Sequence, residues 1–204
     1  MEKIGQGLQF KVYDLGNGRV LKLPTSRLSM FTRLLLWTPS YFYHPFNLVQ
    51  EATKIRDERT ESLLGVQRRT IPLSLLAHPL ISLSRIEQDK VTVLKNYLST
   101  YEQAQTWIDK YISFIFECWK HGFSERTYNL TVNNGVNSSG EIVLLDFGEL
   151  TFSHDHVAHA ISIRRWEKAW SFTKDLDERV KTYYSKQMRE QLTLENLDTF
   201  WRDS

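Results

Sequence analysis

The residues best suited to chemistry in this chain lie in one stretch, residues 121–149, which reads HGFSERTYNLTVNNGVNSSGEIVLLDFGE. Within it, residues 130–132 form a short apolar run. Residues 133–140 follow and are almost all Asn, Ser and Gly, a composition typical of a hairpin turn. Residues 142–145 form a second, uncharged apolar run. The pattern therefore predicts two antiparallel strands joined by a tight turn.

Two polar side chains flank this predicted hairpin: Asn129 precedes the first strand and Asp146 follows the second. Pairing of the strands brings both residues to the same end of the hairpin, so we expect their side chains to lie close together. A carboxylate at the tip of a buried strand is costly unless a cation accompanies it. An amide oxygen and a carboxylate suit Mg²⁺ bound together with phosphates. We therefore predict that Asn129 and Asp146 are metal ligands.

A glycine loop and a strand with a single lysine are predicted near the start of the chain. Gly5 and Gly7 form a G-x-G pattern that leads into an alternating apolar run, and residues 15–18, LGNG, are a strong turn signal. Residues 19–24 are predicted to form the next strand, in which Lys22 stands among apolar residues. Taken alone, a G-x-G pattern also occurs in ordinary hairpins. A single lysine among apolar residues also occurs on the solvated face of an edge strand.

Two helices are predicted from apolar periodicity. The first covers residues 47–64 and ends at Gly65, and Glu51 lies beside its apolar stripe, one turn into the helix. The second covers residues 101–121, where aromatic and aliphatic residues recur at helical spacing. We interpret the aromatic residues of this second helix as core packing.

The remaining elements are predicted more simply. Residues 80–86 and 91–94 are apolar enough to be strands, and the polar residues 87–90 between them are predicted to be their turn. Towards the C-terminus we predict one helix over 161–188 and a short closing helix over 192–201.

Together these motifs resemble those of the protein-kinase superfamily. Asn129, a strand hairpin and Asp-Phe-Gly at 146–148 resemble the metal-binding half of a kinase catalytic loop. Gly5-x-Gly7 and the strand that carries Lys22 resemble the kinase glycine loop and V-A-I-K strand. The nearest pattern is that of the bacterial PhoP-regulatory-network YrbL-type family, an atypical kinase-like family with a Ser at the base position and a Gly-Glu pair after the metal-binding Asp.

The resemblance implies an α+β, two-lobed protein-kinase-like fold. Residues 1–98 are expected to form the N-lobe, with the glycine loop, a small antiparallel five-stranded sheet and helix C. Residues 99–204 are expected to form a short, mostly helical C-lobe. No A-P-E sequence follows Asp-Phe-Gly, and residues 149–204 are too few for the full activation segment of a large protein kinase.

The resemblance also implies ATP and Mg²⁺ as cofactors and a role for each nucleotide-site residue. Gly5 and Gly7 would let the backbone approach the phosphates, and Lys22 would hold the α- and β-phosphates. Glu51 would pair with Lys22 and fix its position. Asn96 falls in the hinge segment, where the backbone would meet adenine.

The catalytic loop departs from the kinase pattern. Kinases place the catalytic Asp five residues before the metal-binding Asn, and here that position is Ser124. A hydroxyl cannot accept the substrate proton as a carboxylate does, and general-base help is worth roughly 10²–10⁴ in rate. Glu125 is the candidate replacement for the base, so the predicted catalytic residues are Ser124, Glu125 and Asp146. The alternative is that Glu125 is an exposed loop residue.

Two functions therefore remain open from the sequence. The first is an atypical phosphotransferase in which Glu125 or the substrate itself replaces the base. The second is a catalytically inactive pseudokinase that acts as a nucleotide-binding or scaffolding regulatory partner. The expected partners are accordingly a nucleotide and a protein partner or substrate.

Composition limits the other possibilities. The 26 basic and 24 acidic residues give a net charge of +2 and are not arranged in blocks, so we do not expect nucleic-acid binding. Cys118 is the single cysteine, which excludes an internal disulfide and suits a reducing, cytoplasmic location. No apolar run approaches the ~18 residues of a transmembrane segment. The H-x-H pattern in residues 154–159 is interpreted as a solvated loop rather than a zinc site.

Residues 26–46 are unusual, because they are apolar and aromatic, lightly basic and interrupted by Pro39 and Pro45. One interpretation is a membrane-surface or partner-binding segment, since Trp, Tyr and Arg suit an interface. The other is a helix and loop packed on the first lobe. The few polar residues favour the packed helix and loop.

Overall fold

The N-terminal half of the chain contributes a five-stranded antiparallel sheet. Its strands are β1 (Glu2–Gln6), β2 (Phe10–Asp14), β3 (Arg19–Pro24), β4 (Leu80–Ser82) and β5 (Arg85–Asp89), in the order β1-β2-β3-β5-β4. This computed structural model describes residues 1–82 and 85–202. The expected α+β class is confirmed, and β3 has the predicted bounds.

The turn predicted over residues 87–90 is wrong, because the chain is in β5 up to Asp89. Arg19 on β3 holds these acidic residues in the strand: its Nε lies 2.8 Å from Glu87 Oε1 and its Nη1 lies 2.8 Å from Asp89 Oδ1. Opposite charges on neighbouring strands stabilise their pairing. Residues 83 and 84, part of the predicted fourth strand, lie outside the described residues.

Two helices complete the first part of the chain. Helix α1 (Arg27–Trp37) begins at Ser26, whose side chain accepts a hydrogen bond from Ser29 N, and α2 spans Pro45–Arg68. A 3₁₀ turn over Pro39–Phe42 connects them. The helices share an apolar core of Met30, Leu34, Leu48, Ala52 and Ile55.

Helix α2 does not end at Gly65 as predicted, but continues to Arg68. Glycine inside a helix costs about 1 kcal/mol relative to alanine. The next residue, Val66, is 7% exposed, and burying such a side chain gains roughly 1.5–3 kcal/mol. Tertiary packing therefore outweighs the local preference of Gly65 to end the helix.

The C-terminal half is mostly helical and begins with α3 (Tyr101–Lys120), which confirms the helix predicted over 101–121. Thr100 caps it by accepting a hydrogen bond from Gln103 N. Its buried face consists of Ala104, Ile108, Tyr111, Ile112, Phe114, Ile115, Cys118 and Trp119. The aromatic residues of this helix are therefore largely core, as expected.

Five further short strands form two small sheets. The strands β6 (Thr92–Val93), β8 (Asn134–Val136) and β9 (Ile142–Leu144) form one antiparallel sheet in the order β6-β8-β9. The strands β7 (Ser124–Glu125) and β10 (Leu150–Thr151) pair with each other. Residues 91–94 were thus correctly predicted to contain a strand, but β6 belongs to this second sheet and not to the first.

The first strand of the predicted hairpin is misplaced. Residues 130–132 form a turn, and the strand begins at Asn134, inside the stretch that we predicted to be the turn. The turn is closed by Asn133 N, which donates to Asn129 O at 3.1 Å. The second strand is confirmed, since β9 lies within the predicted 142–145.

The helix predicted over 161–188 is wrong, because the chain breaks there twice. Helix α4 (His154–Ser162) includes the predicted histidine loop and ends before Arg164, whose φ is +51°. A 3₁₀ turn and a π-helical turn over Ser171–Asp175 follow. Asp177 then caps α5 (Glu178–Gln191), accepting hydrogen bonds from the backbone N–H groups of Arg179 and Val180, and α6 spans Leu194–Phe200.

The chain divides into two compact units. The first comprises residues 1–68 and 78–90, and the second comprises residues 69–77 and 91–204. Residues 91–98, which we assigned to the first lobe, thus belong to the second unit. None of the helices within the described residues combines the length and apolar character needed to cross a membrane.

Replacing Gly135 with alanine should destabilise the second unit. A Cβ atom at this position would lie 2.6 Å from Val91 Cγ2 and 2.9 Å from Thr92 O, because β6 passes close to β8. We expect Gly135→Ala to lower the free energy of unfolding by about 1–3 kcal/mol, as overpacking does. Denaturant melts measure this. The control is Gly7→Ala, whose Cβ would meet nothing within 4 Å; equal stability of both variants would contradict the expectation.

Candidate functional site

The open end of the β8–β9 hairpin brings Asn133 beside Asp146. The backbone N–H groups of Leu145 and Asp146 both donate to Asn133 O, at 2.7 and 3.4 Å. The residue that flanks the hairpin opposite Asp146 is therefore Asn133 and not Asn129.

Asn129 lies elsewhere and has a structural contact. Its Oδ1 accepts a hydrogen bond from Ser171 N at 3.0 Å, at the start of the π-helical turn. The side-chain oxygen predicted to bind metal is therefore already used as an acceptor. Loop length is the signal that would have identified Asn133: pairing β8 with β9 leaves a five-residue connection, 137–141, which is typical of hairpins.

The side chain of Asn133 is held in one orientation. Its Nδ2 donates to Glu125 Oε1 at 2.7 Å and to Glu149 Oε2 at 2.8 Å. Because the amide nitrogen faces two carboxylates, the amide oxygen must face away from them. Among the residues that the structure describes, Asn133 Oδ1 accepts no hydrogen bond.

Asp146 presents a second oxygen at the same end of the hairpin. Its Oδ1 accepts a hydrogen bond from Gly148 N at 2.9 Å, which begins the short 3₁₀ turn Phe147–Glu149. Its Oδ2 accepts none from the described part of the chain. An amide oxygen and a carboxylate oxygen thus remain available as ligands, and both are the hard donors that Mg²⁺ prefers.

Glu149 adds a second carboxyl group beside this pair. Burial, together with the nearby charge of Asp146, raises the pKa of Glu149 to about 7. Thr127 Oγ1 lies 2.6 Å from Glu149 Oε2 and 2.9 Å from Glu125 Oε1. One hydroxyl has a single proton to donate, so both contacts are hydrogen bonds only when one of the two carboxyl groups is protonated. The raised pKa of Glu149 is consistent with that proton.

Glu125 is buried and accepts hydrogen bonds at both carboxylate oxygens. It is 5% exposed. Burial raises the pKa of Glu125, and the hydrogen bonds that it accepts oppose that change. Its donors are Asn129 N at 2.5 Å, Asn133 Nδ2 at 2.7 Å, Thr127 Oγ1 at 2.9 Å, Tyr111 Oη at 3.2 Å and Asn134 Nδ2 at 3.4 Å. The alternative of an exposed loop residue is therefore wrong. A carboxylate this enclosed organises the loop and has no open face for a substrate.

Ser124, the residue at the predicted base position, is also buried. It is 1% exposed and lies in β7, opposite Thr151 of β10. Its Oγ accepts a hydrogen bond from Trp119 Nε1 at 3.3 Å and lies 3.4 Å from Tyr128 Oη. The side chain is enclosed by aromatic residues in the core of the second unit.

The predicted nucleotide-loop residues lie in the first unit. Gly5 is in β1 opposite Val12, and Gly7 is in the turn to β2, where its N–H donates to Phe10 O at 2.8 Å. Lys22 is in the middle of β3, between β2 and β5, and is 8% exposed. The interpretation of Lys22 as a residue on a solvated strand face is therefore wrong.

The other two predicted nucleotide-site residues are Glu51 and Asn96. Glu51 lies on α2 and forms no ion pair or hydrogen bond with any described residue. Asn96 is exposed and lies in a 3₁₀ turn, Leu94–Tyr97, of the second unit. The roles predicted for these residues stay predictions.

No group of three or more His, Cys, Asp or Glu side chains within residues 1–82 and 85–202 is arranged to hold a metal ion. The histidines of α4 form separate contacts, for example His154 with Asp198 at 2.8 Å. Asn133 and Asp146 could supply only two protein ligands to a metal ion. A cation held there would need other ligands, such as phosphate and water, which is the usual state of Mg²⁺ in nucleotide sites.

Comparison with known proteins adds no family assignment. No protein-family model matches this chain, and no curated protein matches it significantly. The functional interpretation therefore depends on the sequence motifs and on the geometry of the Asn133–Asp146 end of the hairpin.

Removing the Glu125 carboxylate should destabilise the second unit strongly. Glu125→Ala would leave several buried donors without an acceptor, and each such group costs about 1–3 kcal/mol. We expect the free energy of unfolding to fall by at least about 3 kcal/mol, measured by denaturant melts. Glu195→Ala, at an exposed position of α6, is the control. A Glu125→Ala protein as stable as the wild type would show that this network does not organise the loop.

The pKa of Glu149 predicts how stability depends on pH. Since the pKa is about 7 when folded and its ordinary value is 4.5, the folded state binds this proton more tightly. The contribution of Glu149 therefore favours folding at low pH and is lost as pH rises towards 7. We expect Glu149→Gln to raise Tm relative to wild type at about pH 8 more than at about pH 5, by several degrees, since ~1 kcal/mol corresponds to roughly 2–4 °C. An unchanged difference between the two pH values would contradict this, and Glu195→Gln is the matched control.

Proposed function

We propose that this chain is a kinase-like protein that binds ATP together with Mg²⁺, with Asn133 and Asp146 as the protein's metal ligands. The observation that carries the proposal is the pairing of these residues at one hairpin end, where each retains an oxygen without a hydrogen-bond donor among the described residues. The Asp-Phe-Gly sequence after β9 and the buried Lys22 on β3 are further support from the sequence.

The charges around the pair fit a metal–phosphate complex. The carboxyl groups of Asp146 and Glu149 lie at a partly buried position, and a bound divalent cation would favour the charged form of both. Two protein oxygens leave most of the octahedral Mg²⁺ shell to phosphate oxygens and water. The cation would in turn neutralise the phosphates and hold them at the hairpin end. Metal without nucleotide should therefore bind weakly.

Between the two functions left open by the sequence, the burial of Ser124 and Glu125 favours a nucleotide-binding regulatory protein. Neither side chain has an open face from which it could accept a substrate proton. Phosphotransferase activity is the second candidate. It is supported by the occurrence in one chain of Lys22, in the first unit, and of the Asn133–Asp146 pair, in the second, because phosphoryl transfer depends mostly on positioning and charge neutralisation.

Substitution of the two asparagines should separate the predicted ligand from the structural one. We expect Asp146→Asn and Asn133→Ala to weaken Mg²⁺-dependent ATP binding at least about tenfold, because each removes a ligand oxygen or its charge. Asn129→Ala should lower Tm through the lost Ser171 contact and leave ATP affinity nearly unchanged. Isothermal titration with ATP, with and without Mg²⁺, measures the affinities, and thermal melts confirm folding.

ATP turnover then decides between the two functions. Binding of ATP–Mg²⁺ without turnover supports the regulatory protein. Turnover that is lost in Asp146→Asn and kept in Glu125→Gln supports a phosphotransferase in which the substrate replaces the base. If the folded wild-type protein binds no ATP in the presence of Mg²⁺, the proposed function is wrong.

A further inference from the structure

The connection between α1 and α2 leaves a group of large apolar side chains in solvent. Their exposed fractions run from 52% to 84%, with Tyr43 and Phe46 the most exposed. The residues are Leu36, Trp37, Phe42, Tyr43, Phe46 and Val49, and we call them the 36–49 surface. Such a concentration of exposed apolar residues marks an interaction site more often than chance exposure does.

The packing of the two helices does not need these side chains. The inward faces of α1 and α2 already form the core described above, to which Phe31, Leu35 and Tyr41 also contribute. The expectation that residues 26–46 pack as a helix and loop is thus met by the inward face alone. The exposed residues lie at the end of α1, in the 3₁₀ turn and at the start of α2, so they share the connecting end of the helix pair.

The segment that carries most of this surface contains basic residues and no acidic ones. The sequence contains no Asp or Glu between Asp14 and Glu51, whereas α1 carries Arg27 and Arg33 and the connection carries His44. Arg27 is exposed. A segment that combines exposed apolar residues with basic residues and no acidic ones is complementary to an anionic surface that has an apolar interior.

We propose that the 36–49 surface docks this protein reversibly on the face of an anionic lipid bilayer. Trp37 and Tyr43 would lie at the headgroup level, where amphipathic rings are favoured, and Phe42 and Phe46 would enter the acyl boundary. Arg27 would face the anionic headgroups. The proposed association is at the membrane face, through this surface alone. This inference does not depend on nucleotide binding.

Co-sedimentation with lipid vesicles tests the apolar part of the proposal. We expect the full-length protein to bind vesicles of phosphatidylcholine with phosphatidylserine, and the double variant Phe42→Glu, Phe46→Glu to bind at least about tenfold more weakly, because each charge must enter the interface. The matched control is Leu73→Glu with Leu194→Glu, two positions of 51% and 50% exposure outside this surface. The control should bind like the wild type and carries the same added charge.

A second variant tests the electrostatic part. Arg27→Gln should weaken binding to the anionic vesicles about fivefold, the effect of losing one basic residue near the surface, and should leave binding to pure phosphatidylcholine vesicles unchanged. Added salt should weaken binding to the anionic vesicles, since exposed charges are screened. Brominated lipids should quench fluorescence of the wild type more than that of Trp37→Phe.

Three results would overturn the proposal. The first is that the wild-type protein stays in the supernatant with every vesicle. The second is that the Phe42/Phe46 double variant sediments as well as the wild type. The third is that light scattering finds the wild type to be a dimer and the double variant a monomer, which would assign the surface to a contact between two copies of the chain. Titration of the double variant with ATP measures nucleotide binding independently of vesicle binding, so a failure of this proposal is distinguishable from a failure of the proposed nucleotide function.

Discussion

The second unit depends on the accommodation of one buried carboxylate, that of Glu125. Taking a carboxylate out of water costs several kcal/mol unless hydrogen bonds replace the lost hydration. Here the donors come from α3, from the loop after β7 and from the start of β8. These segments follow one another along the chain, and the need to satisfy one charge fixes their mutual positions. The candidate site is an outer layer of the same network, because Asn133 donates to both Glu125 and Glu149.

This arrangement explains how much of the fold could be predicted. β3 and α3 follow from local patterns, a turn signal before a strand and a long run of apolar residues at helical spacing, and both are present as predicted. The hairpin was predicted in the wrong register because residues 130–132 look more like a strand than Asn134–Val136 does. What places the polar strand is burial beside Glu125, a tertiary effect that local propensity does not contain.

The candidate site was predictable to a similar extent. Asp146 could be found because a charged residue directly after an apolar strand is unusual in itself. Asn133 was missed because its position depends on the strand register, and Glu125 was misjudged because sequence alone gives no indication of its burial. The surroundings of Lys22 were likewise undecided in the sequence, since a lysine within a strand is compatible with either a solvated or a buried face.

The contact between Asn129 and Ser171 has a consequence for the rigidity of the second unit. Hydrogen bonds run without interruption from Glu149 through Asn133 and Glu125 to Asn129, and from there to the π-helical turn, 42 residues further along the chain. The hairpin end and that turn are therefore parts of one stiff block. A cation that binds at Asp146 would meet side chains that are already ordered, so its binding would cost little conformational entropy.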